Sequence, residues 1–410
     1  MNLLHFLFAW RYFKVKKSTN VINIIAWISI VAITIGTAAL ILVLSVFNGF
    51  EGLVKSLYST FYTDLKIFPS EGKIMTITAE QLKQLQGVTG VKNFSLVVEE
   101  KALLQNGEYQ SVVYLKGVDE NYRYVTGVAD HLVRGSYDLG KTESPKLILG
   151  AGVENAIGIL SDRNLLALKI YLPRKSSSEQ INLLEDISTD TINSSATFMI
   201  QQDFDNKYAI TNIDFLKKSM RLEKDQYSGV EIGLTDPSQS QSIKKQLSTF
   251  FGKGYLIQNR YEQNRSLYSI MNIERWIIYG VLCLILVVAA FNMIGALTML
   301  ALEKDKDIRV LYALGCDRGF IQKIFLSEGM LLAFIGGVSG MVLAFLIAWA
   351  QIKFKLIPLS GGSFLIDYFP VKLRIFDFLL VGATVFVIAF IAAWVPSRKA
   401  SMQNLSLRSE

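Results

Sequence analysis

Residues 303–319 read EKDKDIRVLYALGCDRG, and their place in the chain decides how the rest must fold. They follow LILVVAAFNMIGALTMLAL (284–302) and soon precede LLAFIGGVSGMVLAFLIAWA (331–350), and neither run carries a charge. A tether between membrane helices needs neither this density of charge nor an apolar stripe. Asp305 and Arg309 stand four apart with the acid N-terminal, the favourable order for a helical ion pair. Ile308, Leu311, Tyr312 and Gly315 fall on one helical face, and Gly315 is a natural C-terminal stop. Asp317 is placed to cap the helix that follows. The spacing predicts a short amphipathic helix lying flat at a membrane surface, its exposed face available to seat in a cleft of another protein. A charged stop-transfer loop is the alternative that these residues alone leave open.

Working outward, the chain has 410 residues, 51% of them hydrophobic. Its mean hydropathy of +0.34 is high for a soluble protein. The apolar residues gather in four uncharged runs, at about 24–47, 276–302, 329–352 and 378–395, with Asp377 at the outer edge of the last. Each is long enough, or nearly so, to cross a hydrocarbon core of about 30 Å at about 1.5 Å per residue. Lipid offers backbone groups no partners, so each run is expected to be a helix. Lys and Arg set the orientation. Arg11, Lys14, Lys16, Lys17, Lys304, Lys306, Arg309, Arg318, Lys323, Arg398, Lys399 and Arg408 would lie on one side, against Lys353, Lys355, Lys372 and Arg374 on the other. The positive-inside rule therefore puts both termini and the 303–325 loop in the cytoplasm. The net charge of +7 then reflects a collar beside anionic lipid and needs no nucleic acid.

The segments follow in order. Residues 1–20 are an interfacial helix with Leu3, Phe6, Leu7 and Trp10 on one face, and no cleavable signal. Transmembrane helix 1 takes 21–47, an external domain 48–275, and helix 2 276–302. The coupling loop takes 303–325, helix 3 326–352, an outer loop 353–375, helix 4 376–395 and a tail 396–410. The fold class expected is four transmembrane helices plus a large α+β domain of two subdomains inserted between helices 1 and 2. Helical spacing in 48–61 and 261–275 predicts that helices 1 and 2 continue outward as a paired stalk, with two ordinary amphipathic surface helices as the alternative.

Inside the external domain, two βαβ patterns bracket an insertion at about 107–225. The first runs from a strand at 64–68 through a helix at 78–86 to a long strand from Val91. Thr78 and Gln81 form a potential capping box on that helix. The second has a strand at 228–234, a helix opened by Asp236-Pro237 and reaching Phe251, and a closing strand at 254–259. The insertion reads mostly as strands, at 108–118, 164–173 and 196–204. RKSSSEQINLLEDISTDTINSS (174–195) reads as an exposed polar loop or hairpin, either solvent-facing or a docking arm.

The chemistry-bearing residues are few. Only His5 and His131 are present, and neither Cys283 nor Cys316 is external, which argues against a His/Cys metal site in the domain. There is no G-x-S-x-G, and Gly252-Lys253-Gly254 lacks the spacing and hydroxyl of a phosphate-binding loop. The chain reads as no enzyme in its own right and as needing no cofactor. Uncharged spans argue against an ion-coupled carrier, which places ionisable groups there despite their cost. Asn292 is the polar exception, explained equally by an interhelical hydrogen bond or a direct role, and Gly336-x-x-x-Gly340 is a small-residue seam.

Several stretches taken together resemble the permeases of lipoprotein-releasing ABC transporters, the LolC/LolE type within the MacB and FtsX-like superfamily. ISIVAITIGTAALILVLSVFNGFEG (28–52) resembles that family's ALGV-x-x-LI-x-VLSVMNGFE. NRYEQNRSLYSIMNIERW (259–276) resembles W-x-x-x-N-x-x-LF-x-AL-x-LEK, with Asn264, Leu267 and Glu274 in place. VVAAFNMIGALTMLALEKDKDIRVLYALGCDRGFIQKIFLSEG (287–329) resembles VAAFNI-x-x-x-L-x-M-x-x-x-EK-x-x-DIAIL-x-x-MGA followed by I-x-x-IF-x-x-x-G. LILGAGVENAIGI (147–159) resembles LG-x-x-LA-x-x-LGV.

The resemblance implies a permease in the bacterial inner membrane with a periplasmic domain. Its partners would be a second permease, homo- or heterodimeric, a cytoplasmic ABC ATPase dimer that binds the ATP, a periplasmic lipoprotein carrier, acylated lipoproteins and membrane lipid. By position, Glu303, Lys304, Asp307, Ile308, Arg309, Leu311, Leu314 and Gly315 would couple to the ATPase. Phe47, Asn48, Phe50, Leu267 and Met271 would line the lipid-accepting cavity. Pro173, Arg174, Lys175, Leu183 and Leu184 would dock the carrier, although this Ser-rich segment lacks the family's Gly/Pro-containing hairpin and SDRN (161–164) departs from its GD turn. Two rivals stand beside this reading. One is a related mechanotransmitting permease, for amphiphile efflux or for regulation of a periplasmic enzyme. The other is a membrane-anchored sensor that transports nothing and needs no coupling stripe.

Overall fold

The computed structural model describes residues 20–162, 167–174, 187–359 and 368–402. These form two compact units, a helical one up to Leu53 and from Ser269 onward, and an α+β one over Val54–Tyr268. Of the segments expected from sequence, residues 1–19 of the interfacial helix, 360–367 of the 353–375 loop and 403–410 of the tail lie outside the described residues.

Among the described residues, four helices are long and apolar enough to cross a membrane. They are span 1 (Asn20–Phe61), span 2 (Arg265–Glu303), span 3 (Arg318–Phe354) and span 4 (Ile375–Ser401). Each exceeds its uncharged run, because backbone hydrogen bonding continues where hydropathy stops. Span 1 has 42 residues, about 60 Å at helical rise and roughly twice the hydrocarbon thickness. The longer helices also take in ionisable residues that the uncharged runs exclude. Arg275 belongs to span 2, Glu328 to span 3 and Asp377 to span 4, and the two acids are buried.

The four spans share one apolar core, with Leu40, Ile41 and Leu44 of span 1 against Leu286, Met293 and Leu297 of span 2, Leu332 and Ala344 of span 3, and Val381 and Ala393 of span 4. Span 3 meets span 1 at backbone distance. A methyl group on Gly340 would lie 2.6 Å from the Thr34 carbonyl oxygen, and one on Gly336 3.0 Å from that of Ile30. The Thr34 hydroxyl donates to the Gly336 carbonyl at 3.2 Å. The small-residue seam is thus a helix contact, the use to which lipid-embedded glycines are commonly put. Asn292 is exposed and makes no interhelical bond among the described residues.

The α+β unit has thirteen strands among the described residues: β1 (Leu65–Pro69), β2 (Met75–Thr76), β3 (Val91–Asn106), β4 (Tyr109–Val118), β5 (Leu132–Gly135), β6 (Gly140–Lys141), β7 (Ser144–Gly150), β8 (Leu168–Pro173), β9 (Ile187–Phe198), β10 (Tyr208–Asn212), β11 (Gln226–Tyr227), β12 (Gly229–Leu234) and β13 (Tyr255–Asn259). The main sheet runs β13-β1-β12-β3-β4-β10-β7-β9-β5, with β8 joining β3 to β9 and β6 on β7. Helices Ala79–Gly87 and Ser240–Phe251 pack on its β13-β1-β12-β3 end, where Leu85, Leu247 and Phe251 meet Leu65, Ile67, Ile232 and Ile257. The capping box is present, with the Thr78 side chain accepting from the Gln81 amide and the Gln81 side chain accepting from that of Thr78. The Asp236 carboxylate accepts from the Ser238 amide, opening a short 3-10 turn before the second helix.

Two details bear on the expected insertion. Its expected start near 107 falls at the turn of one hairpin, in which β3 and β4 pair from Val97↔Val118 to Asn106↔Tyr109. Gly107, at φ +59, makes its turn. Of the two forms open to the polar stretch at 174–195, the described residues show the hairpin. From Ile187 the stretch is β9, antiparallel to β8 from Leu168↔Ile192 to Pro173↔Ile187. Serines and threonines there read as turn formers, yet Ser188 and Ile192 turn inward. The Ser188 hydroxyl donates to Asp190 and that of Ser195 to the Asp138 carbonyl. Satisfied hydroxyls suit a strand.

The sheet buries charge at one point. Lys116, 2% exposed, lies 2.7 Å from a Glu231 carboxylate oxygen, and Lys66 approaches the same group at 3.4 Å. The Lys116 ammonium also sits over the Phe61 and Tyr122 rings at 5.1 and 4.9 Å. Burial alone would raise the Glu231 carboxyl, but the attraction of Lys116 and Lys66 outweighs it and holds the pKa below the usual glutamate value of 4.5. Its stabilisation is therefore present above about pH 4.5 and is lost as pH falls through the lowered folded value. Lys116→Met, which leaves the carboxylate buried beside one remaining cation, is expected to cost about 3 kcal/mol in denaturant melts at neutral pH. Between pH 5 and pH 3, the wild-type melting temperature should fall more steeply than that of Glu231→Gln.

Candidate functional site

The short helix expected within 303–325, labelled the coupling helix after that expectation, forms over Asp305–Ala313. Asp305 and Arg309 pair at 2.8 Å, and Lys304 and Asp307 at 3.5 Å. Its end is a Schellman turn, in which the Gly315 amide donates to the Tyr312 carbonyl and the Cys316 amide to that of Leu311, with Gly315 at φ +90. The Asp317 carboxylate then accepts from the Phe320 amide at 3.1 Å and starts span 3.

Its faces divide differently from the sequence expectation. Ile308 is only 3% exposed and packs against Ala301, Ile321, Phe325 and Ala400. Tyr312 borders that cluster, and its hydroxyl donates to the Ser401 carbonyl at 2.7 Å. Ile308 and Tyr312 thus seat the helix on spans 2, 3 and 4, because an apolar face beside a bundle is buried by the chain itself first. The outward face offers Val310 and Leu314, 58% and 75% exposed, among Lys306, Asp307 and Arg309. Glu303 and Gly315 are exposed as well, and Lys304 and Leu311 half-buried. Val310 stands at i,i+4 spacing from Leu314, a signal present in the sequence.

The cavity candidates are dispersed. Asn48 is fully buried, its amide committed to the Asp377 carboxylate at 2.5 Å, so in this structure it joins helices and faces no cavity. Phe50 stands edge-on to Phe369 at 5.7 Å. Phe47 and Met271 are half-buried in the helical unit. Leu267 belongs to the α+β unit, packed against a cluster containing Tyr58, Phe61, Phe198 and Phe204. Of the docking candidates, Pro173 pairs with Ile187 across β8 and β9, and Arg174 Nη2 lies 3.5 Å from the Ser188 hydroxyl. Lys175, Leu183 and Leu184 lie outside the described residues.

Residues 279–405 match the FtsX-like permease C-terminal family and residues 26–161 the MacB-like periplasmic core domain. These matches support an FtsX/MacB-like permease. Near full-length similarity to curated relatives supports the LolC/LolE type within that class. The lipoprotein-releasing system transmembrane protein LolE of Haemophilus influenzae is 24% identical, over 98% of this chain and 99% of its own length. LolC of Neisseria meningitidis is 25% identical over 96% of both. The periplasmic region of MacB from Actinobacillus actinomycetemcomitans aligns with 52% of this chain and 94% of its own, at 12% identity and a TM-score of 0.35.

The two faces of the coupling helix make a direct contrast. Ile308→Ala is expected to destabilise the purified protein by about 2–4 kcal/mol. Leu314→Asp should stay within about 0.5 kcal/mol of wild type. Thermal melts in detergent check both.

Proposed function

We propose that this chain is the permease subunit of an ATP-driven machine that extracts acylated lipoproteins from the inner membrane and hands them to a periplasmic carrier. The observation that carries the reading is the end-to-end similarity to LolC and LolE permeases, which spans both membrane and external segments. An acyl chain buries about 0.8 kcal/mol per CH₂, so a multiply acylated anchor does not leave a bilayer unaided. The chain offers such an anchor apolar spans, and the energy enters from a partner. In this reading the α+β unit is periplasmic and both termini are cytoplasmic.

The exposed pair Val310 and Leu314 would occupy a cleft of the ATPase, with Lys306, Asp307 and Arg309 at its rim. Ile308 and Tyr312 would pass the resulting push into spans 3 and 4, which they touch. A second permease would cover span 2, the least buried of the four, whose exposed Asn292 is costly against lipid alone. A carrier would meet the β8–β9 region that includes Pro173 and Arg174.

Purification in mild detergent from the native host, followed by mass spectrometry, tests the assignment. An ABC ATPase recovered with acylated lipoproteins is the expected outcome. An ATPase recovered with a soluble periplasmic enzyme and no lipoprotein would replace release by mechanical regulation. Val310→Asp combined with Leu314→Asp should lower ATPase recovery about tenfold or more, as for loss of a central interface contact, while permease yield holds. Undiminished recovery would overturn the docking face.

A further inference from the structure

The segment leading into span 4 is fastened to the outer part of span 1 by a dense set of contacts. The Lys372 amide donates to the Ser45 carbonyl at 2.9 Å. Gly49 has no room for a side chain, since a methyl group there would come 2.1 Å from the Pro370 carbonyl oxygen. Phe50 abuts Phe369, and Arg374 reaches a Glu51 carboxylate oxygen at 3.3 Å. Asn48 donates to Asp377 and, at 3.5 Å, to the Lys372 carbonyl. None of these contacts involves span 2.

Span 2 is held at this level in another way. Arg275 Nη2 lies 2.6 Å from Asp377 Oδ1, and one turn deeper the Tyr279 hydroxyl bonds that of Thr384. Around them Ile273, Trp276 and Ile277 are exposed, and beyond Arg275 the buried apolar packing of span 2 begins at Leu286. Asp377 is fully buried while the Arg275 side chain keeps 24% of its exposure, so the cation alone has a route to the interface.

We propose that Arg275 and Asp377 form a clasp that positions the outer end of span 2 against a rigid pair made by spans 1 and 4, and that it opens in each transport cycle to pass the acyl anchor. This rests on the release function proposed above. A buried ion pair contributes little net stability against an apolar replacement, but it has two discrete arrangements, made and solvated. Apolar packing deeper in span 2 has no comparable alternative partner, so the helix pivots there while the clasp parts. Arg275 and Asp377 are thus positioning residues. They do not contact the substrate, and they set whether the path between span 2 and the span 1–span 4 pair is closed.

The test uses the native complex in proteoliposomes carrying Arg275→Cys and Asp377→Cys, with Cys283→Ser and Cys316→Ser, joined by a short bifunctional methanethiosulfonate. The linked complex should hydrolyse ATP within about twofold of the unlinked one but release lipoprotein at least about tenfold more slowly, with reductant restoring release. Release unaffected by the link would overturn the clasp. Linking yield supplies a readout independent of substrate. It should differ by about threefold or more between nucleotide-free and ATP-trapped complexes, and equal yields would also overturn the clasp. An unlinked wild-type complex that hydrolyses ATP yet releases no lipoprotein would instead sink the release function, leaving the yield comparison to decide the clasp alone.

Discussion

Span 1 lies against span 3 at backbone distance because Gly336 and Gly340 present no side chains to it, and the helical unit is organised around that contact. Between lipid-embedded helices the hydrophobic effect gives no net attraction, so association rests on close packing and on polar contacts. The seam supplies both, through the absent Cβ atoms and the bond from Thr34 to the Gly336 carbonyl. With span 1 fixed, Leu40, Ile41 and Leu44 become the shared centre on which spans 2 and 4 assemble. The outer part of span 1 in turn receives the segment before span 4, where Gly49 again permits a backbone contact.

Towards the coupling helix the same helices are tied differently. Ile308 closes an apolar cluster with residues of spans 2, 3 and 4, and the Tyr312 hydroxyl caps the last turn of span 4. A force on the exposed Val310–Leu314 face would be borne by a helix that cannot move independently of those spans. The bundle thus has one end tied by hydrogen bonds and an ion pair and one, at the 305–313 helix, tied mainly by apolar packing. In the α+β unit, Lys116 and Glu231 play a different part, as a satisfied ion pair at the centre of a sheet. Removing one partner there would strand the other, which makes the pair a constraint on sequence more than a source of stability.

Much of this was legible along the chain. Four uncharged runs imply four helices because hydrocarbon leaves no other way to satisfy the backbone. The Thr78–Gln81 capping box, the Asp305–Arg309 pair, the Gly315 stop and the Asp317 cap depend on residues a turn apart, so a local reading finds them. The polar stretch ending at 195 leaves loop and hairpin open, because its serines and threonines suit turns when alone, and suit strand β9 when partners such as Asp190 and the Asp138 carbonyl take their hydroxyl protons.

Legible in the residues alone, therefore, are the four long helices, the caps of their neighbours and the resemblance that points to the class. Which face of each element looks inward was left to the tertiary structure. Periodicity identifies an apolar stripe on the coupling helix without saying whether the chain or a partner covers it, and Ile308 proved to be covered by the chain. Likewise Arg275 and Asp377 are 102 residues apart, and nothing local marks them as partners. Only the packing of span 2 on span 4 brings the charges together, because an ion pair is specified by proximity in space and each residue alone reads as the charged edge of a separate helix.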